Sequence, residues 1–237
     1  MTEQAFDDLG VPAPAERLAP GRPVRPRDAA TLILIRRDEG ALRVLMGRRH
    51  GGHAFMPDKW VFPGGRIDRA DFRVPSAGDL RPEVAARLEK TASPARARAL
   101  ALAAIRETFE EVGLLLAKPA PGRAAAGPWR EFLAQGALPD LEALDFVARA
   151  VTPPMLPKRF DARFFMAEAD RLISLERQGD CGELDEIAWF SLEEAFALDL
   201  PTVTRFVLRE VSPRLTDPAR PVPSLKFVRG RQRLRHL

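Results

Sequence analysis

An α/β fold, with a mixed β-sheet packed between helices, follows from three features of this 237-residue sequence. Residues 29–36 and 42–47 are apolar runs joined by Asp38-Glu39-Gly40, the pattern of two strands in a hairpin. Residues 94–112 repeat apolar side chains at helical spacing, with Leu100, Ala103, Ala104, Phe109 and Val112 on the buried side. Short apolar stretches at 147–151, 159–166 and 182–190 read as further strands, and 201–211 as an amphipathic helix.

Composition sets the outer limits. Apolar content of 46% suits a globular core, and no apolar run is long enough to span a bilayer. The N-terminus carries Glu3, Asp7 and Asp8 with no apolar core of a secretory signal. One cysteine, Cys181, precludes an internal disulfide framework and fits a reducing compartment, so a cytoplasmic location is expected. The net charge of +4 suits phosphorylated ligands. The basic residues are spread along the chain apart from Arg229, Arg231, Arg233 and Arg235, and no aromatic platform accompanies that cluster. Dedicated nucleic-acid binding is therefore disfavoured.

The expected domain layout is an irregular Pro/Ala-rich leader at 1–27, a folded unit at 28–212 and a basic, proline-broken tail at 213–237. Ser93-Pro94 marks a helix start and Gly113 a helix stop. Residues 81–90 form a helical pattern with Val84 and Leu88 on one face. Residues 114–116 are expected as a short strand, and 129–135 and 141–146 as helical pieces. Ser191 with Glu194 three residues on is a capping box.

The chemistry concentrates in the run Arg106-Glu107-Thr108-Phe109-Glu110-Glu111-Val112-Gly113-Leu114. On a helix, Glu107, Glu110 and Glu111 project from one face within about one turn. Like charges so close repel, unless the face is simply solvated, and a hard divalent cation reverses that sign. Upstream, Trp60-Val61-Phe62-Pro63-Gly64-Gly65 reads as a strand breaking into a glycine loop. His50 and His53 lack the further ligands that zinc requires.

Together, Gly65 and residues 106–114 resemble the Nudix box, a glycine followed by R-E-U-x-E-E-x-G-U, with Thr108 at an aliphatic position. Forty residues separate Gly65 from Arg106, far more than in the usual box, so residues 66–92 read as an insertion. Counting six forward from Gly65 finds Asp71 where the family's supporting glutamate stands; counting back from Arg106 finds Arg98. An interrupted box resembles the acyl-coenzyme A diphosphatase branch, as do Phe55-Met56-Pro57 and the stretch from Thr152-Pro153 to Phe165.

The resemblance implies a Nudix-type α/β/α sandwich and metal-dependent hydrolysis of a diphosphate linkage with Mg²⁺ or Mn²⁺. It implies metal ligands at Glu107, Glu110, Glu111 and the Gly65 carbonyl, with Arg106 as the arginine that fixes a glutamate; the base is one of these glutamates or one from outside the helix, with Glu110 the lead. Glu183 or Glu186 is the candidate extra carboxylate. Arg48, Arg49, Arg159 and Arg163 are candidates for gripping phosphate, with surface ion pairing as the alternative. The expected ligand is a small-molecule diphosphate, led by coenzyme A or acyl-CoA, with nucleotide sugars, NADH and dinucleotides behind. A non-catalytic ligand-binding module and an RNA pyrophosphohydrolase are the readings from other classes. No membrane partner is expected, and the oligomeric state is left open, a homodimer included.

Overall fold

The structure, a computed structural model, describes residues 24–38, 40–50, 58–122, 126–154, 156–177, 184–228 and 231–237. Its centre is a mixed sheet. Strand β1 (Arg27–Asp38) turns at Gly40, whose φ of +84° suits glycine, into β2 (Ala41–Arg49). Next come the short β3 (Trp60–Val61) and β4 (Gly64–Arg66), helix α1 (Pro82–Glu89) and the long α2 (Pro94–Val112). A small two-stranded sheet, β5 (Ala117–Pro119) with β6 (Ala137–Pro139), flanks α3 (Arg130–Ala134). The main sheet resumes with β7 (Asp145–Val151), β8 (Phe160–Glu168) and β9 (Leu184–Ser191). Helices α4 (Leu192–Ala197) and α5 (Thr202–Thr216) follow, then β10 (Pro223–Val228) and β11 (Arg231–His236).

The main sheet runs β11-β10-β7-β8-β1-β2, with β9 on the far side of β2. β1 is parallel to β8 and β10 to β7; the other pairs are antiparallel. Side-chain alternation divides the core in two. Leu32, Leu34, Leu45, Phe146 and Phe165 face α1 and α2. Ile33, Ile35, Val44, Met46, Phe164 and Met166 face α4 and α5. The α/β/α sandwich expected from the sequence is present.

One irregularity positions the site. β1 and β2 pair only over Ile35–Val44 to Asp38–Ala41. Beyond that they diverge, and the chain at 60–66 fills the gap, β3 pairing with Gly47 and Arg48 while β4 pairs with residues Ala29 to Thr31 of β1. Helix α2 lies over this wedge. Its residues 99–106 are buried on all sides, as for a helix covered by neighbours on its outer face as well. That cover is the inserted segment and α3: Val84 and Leu88 of α1 are fully buried, and Phe132 packs edge-on against Phe109. Arg98 of α2 donates to the Val74 carbonyl and Ser76 Oγ, fixing the insertion to the helix.

Several expectations change. Residues 141–146 are not a helix: a 3-10 turn at Leu141–Ala143 ends as β7 begins, which places buried Phe146 in the sheet. Residues 114–116 carry a single bridge, Leu116 to Leu172, and the strand starts at Ala117. Ser93 stands at the N-cap of α2 without a side-chain cap bond, whereas the Ser191–Glu194 capping box forms in full. The largest change concerns residues 213–237. They do not hang outside the domain, because α5 continues through Pro213 to Thr216 and β10 and β11 then extend the sheet. Val222 is fully buried, Leu225 is 7% exposed, and Leu237 exchanges backbone hydrogen bonds with Val222. Within the expected leader, residues 1–23 lie outside the described residues.

Burying a valine and a leucine contributes about 3–6 kcal/mol. Ending the chain after Thr216 should therefore lower the melting temperature by roughly 10 °C or more in a thermal denaturation experiment. An unchanged Tm would mean that 217–237 is a dispensable tail.

Candidate active site

Helix α2 delivers its acidic face to the wedge. Pro94 pre-sets its first turn, and Gly113, at φ +70°, closes it with a backbone N–H to the Phe109 carbonyl. Thr108, at the expected aliphatic position, is fully buried; its hydroxyl donates to the Ala104 carbonyl one turn back. The last turns thus present Glu107, Glu110 and Glu111 where β4 begins.

Each glutamate is held differently. Glu111 is nearly buried, and its Oε2 accepts the Gly64 backbone N–H at 2.9 Å. Glu107 lies against Gly65 so closely that a Cβ on that glycine would sit 2.4 Å from the Glu107 carboxylate. Gly64 is confined by backbone instead: its Cβ would stand 2.5 Å from the Ala30 carbonyl oxygen and 2.6 Å from the Thr31 Cα. Glu110 is the most open of the three, with 37% of its side chain exposed.

Arg106 ties the set together. Its Nη1 donates to Glu107 Oε1 and to Glu110 Oε2, both at 2.9 Å. Its Nε and Nη2 grip Asp71 in bidentate fashion at 2.9 and 3.1 Å, and Nη2 also donates to the Arg66 carbonyl. Asp71 has no exposed surface. It accepts two further bonds, from the Asp68 backbone N–H at 2.7 Å and from the Trp129 indole at 2.8 Å. Forward counting from Gly65 thus finds the acidic partner of Arg106, whereas Arg98, on α2, binds the inserted segment instead.

Three carboxylates, those of Asp71, Glu107 and Glu110, share this one guanidinium. Burial lowers the Arg106 pKa, but the hydrogen bond with Asp71 and the charges of Glu107, Asp71 and Glu110 raise it overall. Burial pushes Glu110 up to about 7; Arg106 opposes that shift and the like charge of Glu107 adds to it. The three glutamates are an oxygen-only donor set of the kind that suits a hard divalent cation. Among the described residues, no three acidic or imidazole groups close into a complete metal cage. The Arg106 Nη1 that joins Glu107 to Glu110 supplies the cation's charge between them.

The remaining candidates lie elsewhere. Arg48 and Glu186 face one another across β2 and β9 at 3.7 Å. Alternation along β2 puts them on the α4 side of the sheet and Arg49 on the α2 side. Arg159 donates to the Thr152 and Val24 carbonyls. Arg163 is 1% exposed, with its Nη1 on Asp28 and Asp161, so it joins strands inside the sheet and is out of reach of a ligand. Glu183, His53 and the Phe55-Met56-Pro57 stretch lie outside the described residues. Trp129 had no sequence signal, because the contact bridges 58 residues with no local pattern.

No family model matches the chain. It is 30% identical to the acyl-coenzyme A diphosphatase NUDT19 of Gallus gallus, over 54% of this chain and 42% of that protein. It is 27% identical to nudix hydrolase 7 of Caenorhabditis elegans, over 72% of this chain and 55% of that protein. The chain thus spans about half the length of the curated relatives it matches. The crystal structure of a NUDIX hydrolase from Alicyclobacillus acidocaldarius shares 26% identity at a TM-score of 0.59, covering 81% of this chain and 96% of that one. Likeness in sequence and fold across nearly all of a solved Nudix hydrolase, and the same family in both curated matches, makes the Nudix hydrolases the family that this chain resembles.

Proposed function

We propose that the chain hydrolyses a diphosphate linkage with Mg²⁺ or Mn²⁺, and that its substrate is coenzyme A or an acyl-CoA. The observation that carries the reaction is the α2 carboxylate set pressed against Gly64-Gly65 and tied by Arg106 to buried Asp71. The substrate rests on less, the interrupted box and the likeness to NUDT19. Nucleotide sugars, NADH and dinucleotides are the alternatives that the assay below separates.

Glu107, Glu110 and Glu111, with the Gly65 carbonyl, would hold the cation. Bound there, it supplies charge neutralisation on the diphosphate and lowers the pKa of an attacking water. Glu110, the most solvent-accessible of the three, is placed to take that water's proton as its oxygen bonds to phosphorus and the phosphoanhydride bond breaks. Arg106 fixes the rotamers of Glu107 and Glu110, and Asp71 fixes Arg106. Arg49, on the α2 side of the sheet, is the candidate for meeting the substrate's phosphates; Arg48, on the opposite face beside Glu186, drops out of that role with Arg159 and Arg163.

Product analysis on coenzyme A, acyl-CoA, NADH, ADP-ribose and dinucleotides tests both levels. Conversion of coenzyme A to 4′-phosphopantetheine by wild type, with a loss of about 10²-fold or more in Glu110→Gln, is the expected result. Preference for a nucleotide derivative, again lost in the variant, would refute the coenzyme A assignment. Activity unaffected by Glu110→Gln would refute the site.

The two glycines should separate stability from catalysis. In Gly65→Ala the atoms nearest the new Cβ are the carboxylate of Glu107, a side-chain end, so Tm should fall less than in Gly64→Ala while kcat falls by about 10²-fold through the displaced carboxylate. Gly64→Ala meets β1 backbone and should cost roughly 1–3 kcal/mol in denaturant unfolding. Equal behaviour of the two variants would contradict the geometry.

A further inference from the structure

The basic cluster near the C-terminus takes no part in the site above. Of its members, Arg229 lies outside the described residues, while Arg233 and Arg235 stand exposed on β11. In the ladder with β10, Arg233 is directly opposite Lys226 and Arg235 is opposite Ser224. Ser224 is in turn level with Arg149 of β7, and Arg149 with Arg163 of β8. Alternation puts Lys226, Arg233, Arg235, Arg149 and Arg163 on one face of the sheet, the face that α1 and α2 cover further along. Leu225 and Leu234 point to the other face.

The acidic groups on this face are Asp161 and Asp28, and both are already engaged. Arg149 takes both Asp161 oxygens, Arg163 reaches Asp161 and Asp28, and Arg96 from α2 also pairs with Asp28. Among the described residues no hydrogen bond or ion pair engages Lys226, which is half-buried. Burial lowers its pKa, with Arg149, Arg163 and Arg235 adding to the shift and Asp161 opposing it. A charged outer strand is a common guard against edge-to-edge aggregation, which accounts for the arginines of β11. It does not account for Lys226, on an interior strand and directly opposite Arg233, because such like-charge cross-strand pairs are destabilising.

We infer that the cationic face of β10 and β11, formed by Lys226, Arg233 and Arg235 over Arg149, is a binding surface for a ligand carrying several phosphate groups, separate from the carboxylate site on α2. Phosphate oxygens would reverse the sign of the Lys226–Arg233 contact and supply the missing anionic partner. A phosphorylated small molecule and a nucleic-acid strand share this chemistry.

The test uses the full chain in EDTA at low salt, where the carboxylates of α2 repel anions and the proposed hydrolytic reaction is silent. Tripolyphosphate and 5′-phosphorylated RNA oligonucleotides of increasing length are the probes, read by calorimetry and by thermal shift. Both should bind wild type and the Glu110→Gln variant alike, more weakly as salt rises. Lys226→Gln/Arg233→Gln/Arg235→Gln should weaken binding by roughly tenfold to a hundredfold. Without ligand the triple variant should melt no lower than wild type, because it relieves repulsion. RNA affinity that grows with length identifies a strand as the source of the phosphates; affinity that tracks charge alone identifies a small molecule. Undiminished binding by the triple variant, or no binding by wild type at millimolar probe, would overturn the inference whatever the hydrolase assay shows.

Discussion

The bidentate contact between Arg106 and buried Asp71 is the interaction on which the candidate site depends. A guanidinium only 4% exposed needs a partner of opposite charge, and removing one partner of such a pair typically costs about 3–5 kcal/mol. With one edge of Arg106 fixed on Asp71, its Nη1 is left to bridge Glu107 and Glu110. Asp71 is itself over-determined by Asp68 and Trp129. Order therefore passes from buried Asp71 in the 3-10 turn at Arg69–Phe72, through one arginine, to the most exposed carboxylate of the set. Of residues 66–92, those beyond this turn carry the added length, so it is accommodated after the supporting aspartate and before α2.

The same logic explains the wedge. Glycines at 64 and 65 let the chain lie against β1 on one side and the glutamates of α2 on the other. Because β1 and β2 separate there, the loop is gripped by strand pairing at both ends, and Glu111 holds its middle through the Gly64 N–H. The motif becomes a mechanical statement: two small residues permit the approach, and three carboxylates and an arginine occupy the space so created.

What could be read from sequence depended on whether the signal was local. α2 was legible because Pro94, Gly113 and the i, i+3, i+4 glutamates all lie within the helix. The β1–β2 hairpin and the Ser191–Glu194 cap were legible for the same reason. Asp71 could be found only as one of two counts, since pairing with Arg106 spans 35 residues. Trp129 was beyond reach. Leu141, Leu144 and Phe146 follow a roughly helical spacing, yet strand pairing with β8 decides Phe146. Pro213, Pro218, Pro221 and Pro223 read as breakers of a tail, but α5 runs on past Pro213 to Thr216, and Pro223 stands at the first position of β10, where a proline costs little. The planar guanidinium of Arg163 suits phosphate, and only its burial and ion pairs show it engaged within the sheet.

The central claim is that the carboxylates Arg106 holds in place form the cation site. An anomalous difference map from crystals soaked in Mn²⁺ tests it most directly. The account predicts a peak bounded by the carboxylate oxygens of Glu107, Glu110 and Glu111. A soaked enzyme that cleaves its diphosphate substrate with manganese bound only elsewhere would contradict it.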